Sequence, residues 1–234
     1  MEKYTAVVLA AGSGSRMHSK TKKQYLMLNG KPVLYYSLAA FEEHPMIQEI
    51  ILVCGAEDIS WCRREIAERY DFKKIKQIVQ GGKERYHSVY EGLKAAKDCQ
   101  WVFIHDGARP MVDREILDRI INALPKYRAC VVGMPVKDTI KRSDPQGFVA
   151  ETLPREELWM IQTPQAFFYE EILDAYQKLM QKEYTEVKIT DDAMVAELYG
   201  NVKIPLIEGS YENIKITTPE DLLIAEKILE KRMK

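Results

Sequence analysis

The chain of 234 residues contains no C-x-x-C pair. Its four cysteines, Cys54, Cys62, Cys99 and Cys130, are widely spaced, which argues against a zinc site and supplies no disulfide framework. A reducing cytoplasm is the expected setting. A dominant charge is missing as well: 34 Lys and Arg stand against 35 Asp and Glu. No global field therefore draws the protein to nucleic acid or to an anionic membrane, and any anion site must be local. No apolar run approaches the length of a transmembrane span, and the N-terminus enters a strand by Tyr4 without a signal-peptide core. The expectation is a soluble protein with small-molecule ligands, no nucleic acid and no membrane. Repeats, linkers and low-complexity tracts are absent too, and the length suits a single domain over 1–234.

What is there is organised around Tyr4 to Leu34. The β-branched run Thr5, Val7, Val8 and then Leu9 reads as a buried strand. It delivers Ala10, Ala11, Gly12 and Gly14, small residues that let a backbone approach a ligand and turn its N–H groups towards an anion. Arg16, Lys20, Lys22 and Lys23 follow within nine residues of Gly14. Backbone donors and mobile cations together suit a triphosphate. A Rossmann loop would need a third glycine where Met17 stands, and a P-loop would need a Gly-Lys-Ser/Thr ending that does not occur. On Gly12 and Gly14 alone, an ordinary surface loop with solvated lysines is an equal reading.

Downstream, the spacing predicts a helix over Pro32–Glu43, a strand Ile47–Cys54, a helix near Ser60–Tyr70 and a strand Ile75–Val79. That strand runs into a second glycine loop, Gly81-Gly82-Lys83-Glu84-Arg85, and a helix near Tyr86–Lys97. The strand Trp101–Ile104 ends on His105-Asp106-Gly107-Ala108-Arg109-Pro110. A helix Arg114–Leu124 and a strand Cys130–Met134 complete a β-then-α rhythm. This implies an α/β fold: one Rossmann-like, doubly wound, mostly parallel sheet, with the loops after Leu9, Val79 and Ile104 at one edge. From 137 to 155 the rhythm breaks around an Asp144-Pro145-Gln146-Gly147 turn and predicts a protruding β-hairpin arm. Too few apolar residues cover it from within, so a partner subunit, and hence a homodimer, is expected. Then come helices Tyr169–Lys182 and Asp191–Tyr199, strands Val202–Ile207 and Asn213–Ile216, and a closing helix from Pro219.

Taken together, LAAGSGSRM, KKQYL, GKPVL, GGKERYHSV, HDGARP, LWMIQTPQAF, TDDA and NIKITTPEDL resemble the 2-C-methyl-D-erythritol 4-phosphate cytidylyltransferase family of the non-mevalonate isoprenoid pathway across essentially the whole chain. The first loop marks only the wider nucleotidyltransferase superfamily, whereas HDGARP with PREELWMIQTPQ is far more specific. The resemblance implies transfer of CMP from CTP to the acceptor's 4-phosphate with release of pyrophosphate, aided by a divalent cation, usually magnesium (Mg2+). It implies that Arg16 and Lys23 stabilise the transition state. Gly82, Lys83, Ser88, Asp106 and Gly107 join Ala10, Ala11, Gly12 and Gly14 around the nucleotide. For methylerythritol phosphate it implies Arg109, Thr163, Thr190 and Lys215 from the same subunit, with Arg155 and Thr139 reaching in from its neighbour. Arg155 and Lys215 then also act on the reacting phosphates. One departure stands out: Lys22 occupies the place where proline commonly precedes Lys-Gln-Tyr, which puts loop stiffness in doubt and adds a charge that could serve the triphosphate.

The chemistry agrees with those residues. A phosphate monoester has a second pKa near 6, so at neutral pH it is already an anionic nucleophile and needs no general base. The barrier is electrostatic, and cations at the α-phosphate and the departing pyrophosphate lower it. No role falls to His18, His44, His87 or His105. Asp106, at the end of a buried strand, needs a partner, a metal or a ribose hydroxyl, and is expected near magnesium; a salt bridge to Arg109 that holds the loop is the alternative. Arg85 is expected to brace its own loop. Two alternatives stay open: a ribitol 5-phosphate cytidylyltransferase with the same fold, and a nucleotide-binding subunit without catalysis.

Overall fold

The structure, a computed structural model, describes residues 2–12, 21–182, 187–200 and 202–232. The apolar run at the N-terminus forms strand β1 (Tyr4–Ala10), buried along nearly its whole length because helices cover both faces of its sheet. A small hairpin of β2 (Met27–Leu28) and β3 (Lys31–Pro32) follows. Helices and strands then alternate: α1 (Val33–Glu43), β4 (Ile47–Cys54), α2 (Ile59–Trp61), β5 (Ile75–Gln80), α3 (Arg85–Ala95), β6 (Trp101–Asp106), α4 (Arg114–Tyr127) and β7 (Ala129–Pro135). A second hairpin, β8 (Ile140–Ser143) and β9 (Val149–Leu153), precedes β10 (Trp159–Phe168), α5 (Tyr169–Met180), α6 (Asp192–Tyr199), β11 (Leu206–Glu208) and α7 (Pro219–Arg232).

Seven strands form one sheet in the order β11-β7-β10-β6-β1-β4-β5. Its neighbours pair in parallel except β10, which runs antiparallel to both β6 and β7. The two-residue period of β1 divides its side chains between two cores. Ala6 and Val8 pack with Leu34, Leu38 and Phe41 of α1 and Ile116 and Ile120 of α4 on one face. Val7 packs with Val89 and Leu93 of α3 and Ile172 and Tyr176 of α5 on the other. From β1 the chain winds outwards to β4 and β5, then crosses back to β6 on the opposite side. The winding therefore reverses between β1 and β6, and ligands of open α/β sheets bind outside the carboxyl ends of strands at that point.

The structure departs from the sequence reading in four elements. Strand β10 was not predicted, because Pro164 inside LWMIQTPQAF demotes a strand; its pairing with β7 is irregular between Ile161 and Gln165, where the proline sits. The expected helix over 60–70 is a single turn of α2 continued by a π-helical stretch, Cys62–Glu68. The strand expected over Val202–Ile207 shortens to β11, and Asn213–Ile216 is irregular backbone, anchored where Ile216 N–H donates to the Ala108 carbonyl at 2.8 Å.

The hairpin stands as expected. Its turn closes on Asp144, whose Oδ1 accepts from Gln146 N–H at 3.0 Å and Phe148 N–H at 2.8 Å, and Gly147 takes φ +90°. Phe148 and Val149 are 72% and 65% exposed, so nothing in the described part of the chain covers the arm's apolar side.

Candidate active site

Four carboxyl-end loops are stitched by backbone into two pairs. Gly107 N–H donates to the Leu9 carbonyl at 2.8 Å, joining the loops after β6 and β1, and Gly81 N–H donates to the Cys54 carbonyl at 2.8 Å, joining those after β5 and β4. A side chain at Gly107 would place its Cβ 2.7 Å from Leu34 Cδ1 and 2.9 Å from the Leu9 carbonyl oxygen, so this approach requires glycine. Gln24, buried within a single 3-10 turn (Lys23–Tyr25), donates from Nε2 to the carbonyls of Ala10 at 2.6 Å and Gly12 at 3.1 Å. Lys23 is thereby set at the rim of a cavity of about 350 Å³ whose other walls include Ala10, Ala11, Gly12, Gly82 and Ser88. Lys23, Lys83, Arg85 and Lys215 line it against Glu84 and Asp106. This excess of cations suits an anionic ligand.

Asp106 stands at the floor. Its Oδ1 accepts from Arg85 Nε at 3.1 Å and its Oδ2 from Lys215 Nζ at 2.6 Å. Burial alone would raise its pKa, but the two cations hold it far below the usual carboxylate range. Arg85 also forks onto Asp192, Nη1 to Oδ1 at 2.9 Å and Nη2 to Oδ2 at 2.8 Å. Asp192, fully buried at the start of α6, accepts a further bond from Tyr176 Oη at 2.6 Å. Gln165 holds that helix start, accepting from the N–H groups of Asp192 and Ala193 and donating to Asp191 Oδ2 at 2.8 Å.

A second cavity, about 320 Å³, shares Arg85, Asp106 and Lys215 with the first and adds Arg109, Thr163 and Thr190. Arg109 does not pair with the Asp106 carboxylate. It donates to the carbonyls of Asn213 at 2.9 Å and Ile161 at 3.3 Å, while its Nε is buried without a partner among the described residues. Behind this cavity runs a polar chain. His105 Nε2 lies 3.2 Å from the Arg109 carbonyl, which can only accept, so Nε2 carries the proton and Nδ1 accepts from Thr163 Oγ1 at 3.1 Å. The same Oγ1 accepts from Asp106 N–H at 3.0 Å. Burial drives the pKa of His105 down to about 4, so the ring stays neutral at physiological pH.

Comparison with known proteins agrees with this geometry. The family described as 2-C-methyl-D-erythritol 4-phosphate cytidylyltransferase matches residues 4–231. A Clostridium kluyveri protein of that description is 48% identical over 228 residues, 97% of each chain, and one from Lachnospira eligens is 50% identical over 221 residues, 94% of this chain and 96% of its own. The chain belongs to this family. A crystal structure of 4-diphosphocytidyl-2C-methyl-D-erythritol synthase from Anaerococcus prevotii superposes with a TM-score of 0.85 at 36% identity, covering 98% of this chain and 96% of that one. The chain is thus a cytidylyltransferase that joins CTP and 2-C-methyl-D-erythritol 4-phosphate into 4-diphosphocytidyl-2-C-methyl-D-erythritol and pyrophosphate, in isoprenoid precursor synthesis. This sets aside the ribitol phosphate and binding-subunit alternatives.

The structure brings most of the expected cytidylyltransferase residues to the two cavities and leaves others outside. Ala10, Ala11, Gly12, Lys23, Gly82, Lys83, Ser88 and Asp106 line the first cavity. Asp106, Arg109, Thr163, Thr190 and Lys215 line the second. Gly107 lies beneath, as the contact between loops. Gly14 and Arg16 fall outside the described residues. Thr139 and Arg155 are exposed at the base of the hairpin, Arg155 Nη1 donating to the Lys137 carbonyl at 3.0 Å, and neither lines either of these two cavities.

Three expectations change character. Lys22 turns its ammonium away from the first cavity and onto Asp58 and Glu57. Arg85 braces Asp106 and Asp192 more than its own loop. Asp106 meets no metal cluster: both its oxygens are engaged by cations, and no three metal-ligating side chains converge among the described residues. Among the described residues no cage of protein ligands for a divalent ion is formed, and Asp106 offers a single carboxylate. Asp192, Tyr176 and Gln165 were not singled out, although TDDA contains Asp192 and TPQ contains Gln165, because no local pattern announces a bond between Arg85 and a carboxylate 107 residues away.

Proposed function

We propose that the two cavities divide the substrates, CTP against the β1 loop and the acceptor phosphate against Arg109, so that attack occurs where they meet, beside Asp106 and Lys215. The shared wall of Arg85, Asp106 and Lys215 is the observation that carries this reading. The acceptor's phosphate oxygen, already anionic, forms a bond to the α-phosphorus of CTP. The bond from that phosphorus to the bridging oxygen breaks, and pyrophosphate departs with the electron pair. Lys23, with Arg16 from the same loop, neutralises the triphosphate and its leaving group. Lys215, on the boundary, offsets charge shared by the two reacting phosphates. Thr163 cannot donate to the acceptor, since its one proton goes to His105. It serves by holding Asp106. Thr190, Gly82, Lys83 and Ser88 contact the acceptor and nucleotide respectively.

Magnesium in this reading arrives as part of the nucleotide substrate, coordinated by phosphate oxygens and water. Arg155 and Thr139 act in the site of a partner subunit, which the hairpin reaches by packing Phe148 and Val149 in a homodimer. The four cysteines, all free and buried, suit a cytoplasmic setting, and among the described residues no helix is long and apolar enough to cross a membrane. Deleting residues 141–150 tests the shared site: a monomer by light scattering with little turnover is expected, and a fully active monomer overturns it.

A further inference from the structure

Lys22 immediately precedes the turn that carries Lys23. Its Nζ lies 2.6 Å from Asp58 Oδ2 and also bonds Glu57, both on the turn that follows β4. Tyr25 Oη donates to the same Asp58 oxygen at 3.2 Å. Asp58 is therefore gripped from both ends of the segment 22–25. That segment is one closed turn, Tyr25 N–H to the Lys22 carbonyl at 2.9 Å and Leu26 N–H to the Lys23 carbonyl at 3.3 Å. Inwards, Gln24 holds the β1 loop; outwards, Lys22 and Tyr25 hold the β4 loop. Gly55 leaves the space in which the ammonium sits, for a Cβ there would lie 3.0 Å from Nζ and 2.9 Å from Glu57 Oε1. The backbone at Lys22 has φ −60° and ψ 140°, angles at which proline is unstrained.

We propose that Lys22 is a positioning residue: its ion pairs with Asp58 and Glu57 hold the turn so that Lys23 stays directed at the nucleotide cavity. The charge of Lys22 acts on the protein and not on the triphosphate. The kinetic part rests on the role assigned to Lys23 above; the clamp itself does not.

The test compares Lys22→Ala, Lys22→Pro and Asp58→Ala, and the double variant of Lys22 and Asp58 to alanine. Half-exposed ion pairs and backbone stiffening each contribute modestly, so Lys22→Ala is expected to lower kcat about fivefold while leaving KM for the acceptor unchanged. Lys22→Pro restores most of the rate, because it fixes φ without a charge. Its kcat also falls less with added salt than that of the natural chain, in which screening weakens the clamp. The double variant loses less than the sum of the two single losses, since both remove the Lys22–Asp58 pair. Hydrogen exchange at the Tyr25 and Leu26 amides accelerates in Lys22→Ala whatever Lys23 does.

A Lys22→Pro enzyme as slow as Lys22→Ala overturns the proposal by assigning the effect to the ammonium itself. Additive losses in the double variant, which needs no proline to fold, overturn it equally. Unchanged exchange at Tyr25 and Leu26 removes the clamp. Accelerated exchange with unaltered kcat keeps the clamp and locates the failure in the role given to Lys23.

Discussion

The two halves of the site are built in opposite ways. The side proposed for the nucleotide is made by short stretches of chain: a strand, a loop of small residues, and one 3-10 turn that returns Gln24 to the Ala10 carbonyl fourteen positions away. The side proposed for the acceptor is made by side chains that come from four separated segments, with Arg109, Thr163, Thr190 and Lys215 brought together over the end of β6. A backbone cradle is specified by glycines and a strand end, and motifs of ten residues suffice to describe it. A side-chain cradle needs bracing from behind, and here the brace is a buried polar network: Arg85, Asp192, Tyr176 and Gln165 on one flank, His105 and Thr163 on the other. The lesson is that the two sides should fail differently when disturbed.

The largest effect is expected from the brace. Asp192→Ala leaves the Arg85 guanidinium without its bidentate partner and Tyr176 without its acceptor; breaking such a pair costs about 3–5 kcal/mol, read as a shift in urea midpoint. A loss below about 1 kcal/mol would mean that the network carries little and the acceptor side is not braced as described. Next comes Lys23→Ala on the nucleotide side, where removing a donor to the transition state typically lowers kcat about 100- to 1000-fold with little change in stability. Unchanged pyrophosphate release would remove Lys23 from the mechanism.

His105 sharpens the contrast through pH. Folded, it titrates near 4; unfolded, near 6.5. Between these values the unfolded chain binds a proton that the folded chain refuses, so stability is full above about 6.5 and falls as pH drops towards 4, by roughly 3 kcal/mol in all. The decline should be shallower in His105→Gln, measured as the unfolding free energy at steps across that window. An equal slope in both chains would show that the ring already protonates in the folded state. The smallest effect is expected from Arg109→Ala, which removes one charge-assisted contact from the acceptor side alone. KM for the acceptor should rise about 10- to 100-fold with KM for CTP unmoved, and a shift in both would mean that the cavities do not divide the substrates.

Much of this could be read from the chain. The β-α rhythm, with Ile47–Cys54 matched residue for residue, and the convergence of three loops at one sheet edge follow from patterns a few residues long. So does the projecting hairpin, because alternating polarity around an Asp-Pro-Gln-Gly turn needs no distant contact. What escaped depends on distant contacts. Strand β10 lies between β6 and β7, and its pairing with them outweighs the local signal of Pro164. Arg85 looked like a brace for its own loop because its carboxylates, Asp106 and Asp192, lie 21 and 107 positions away. Lys22 looked like one more cation for the phosphates, and only the fold brings Glu57 and Asp58 to it.

By itself the sequence determined the fold class and the family, because hydrophobic period, glycine placement and short motifs act locally. The tertiary structure alone decided how each charge is used: which cation faces a cavity, which is neutralised by a carboxylate, and which hydroxyl still has a proton to give. Pairing energies fall off within a few ångströms, and closeness on that scale is set by packing, not by order along the chain.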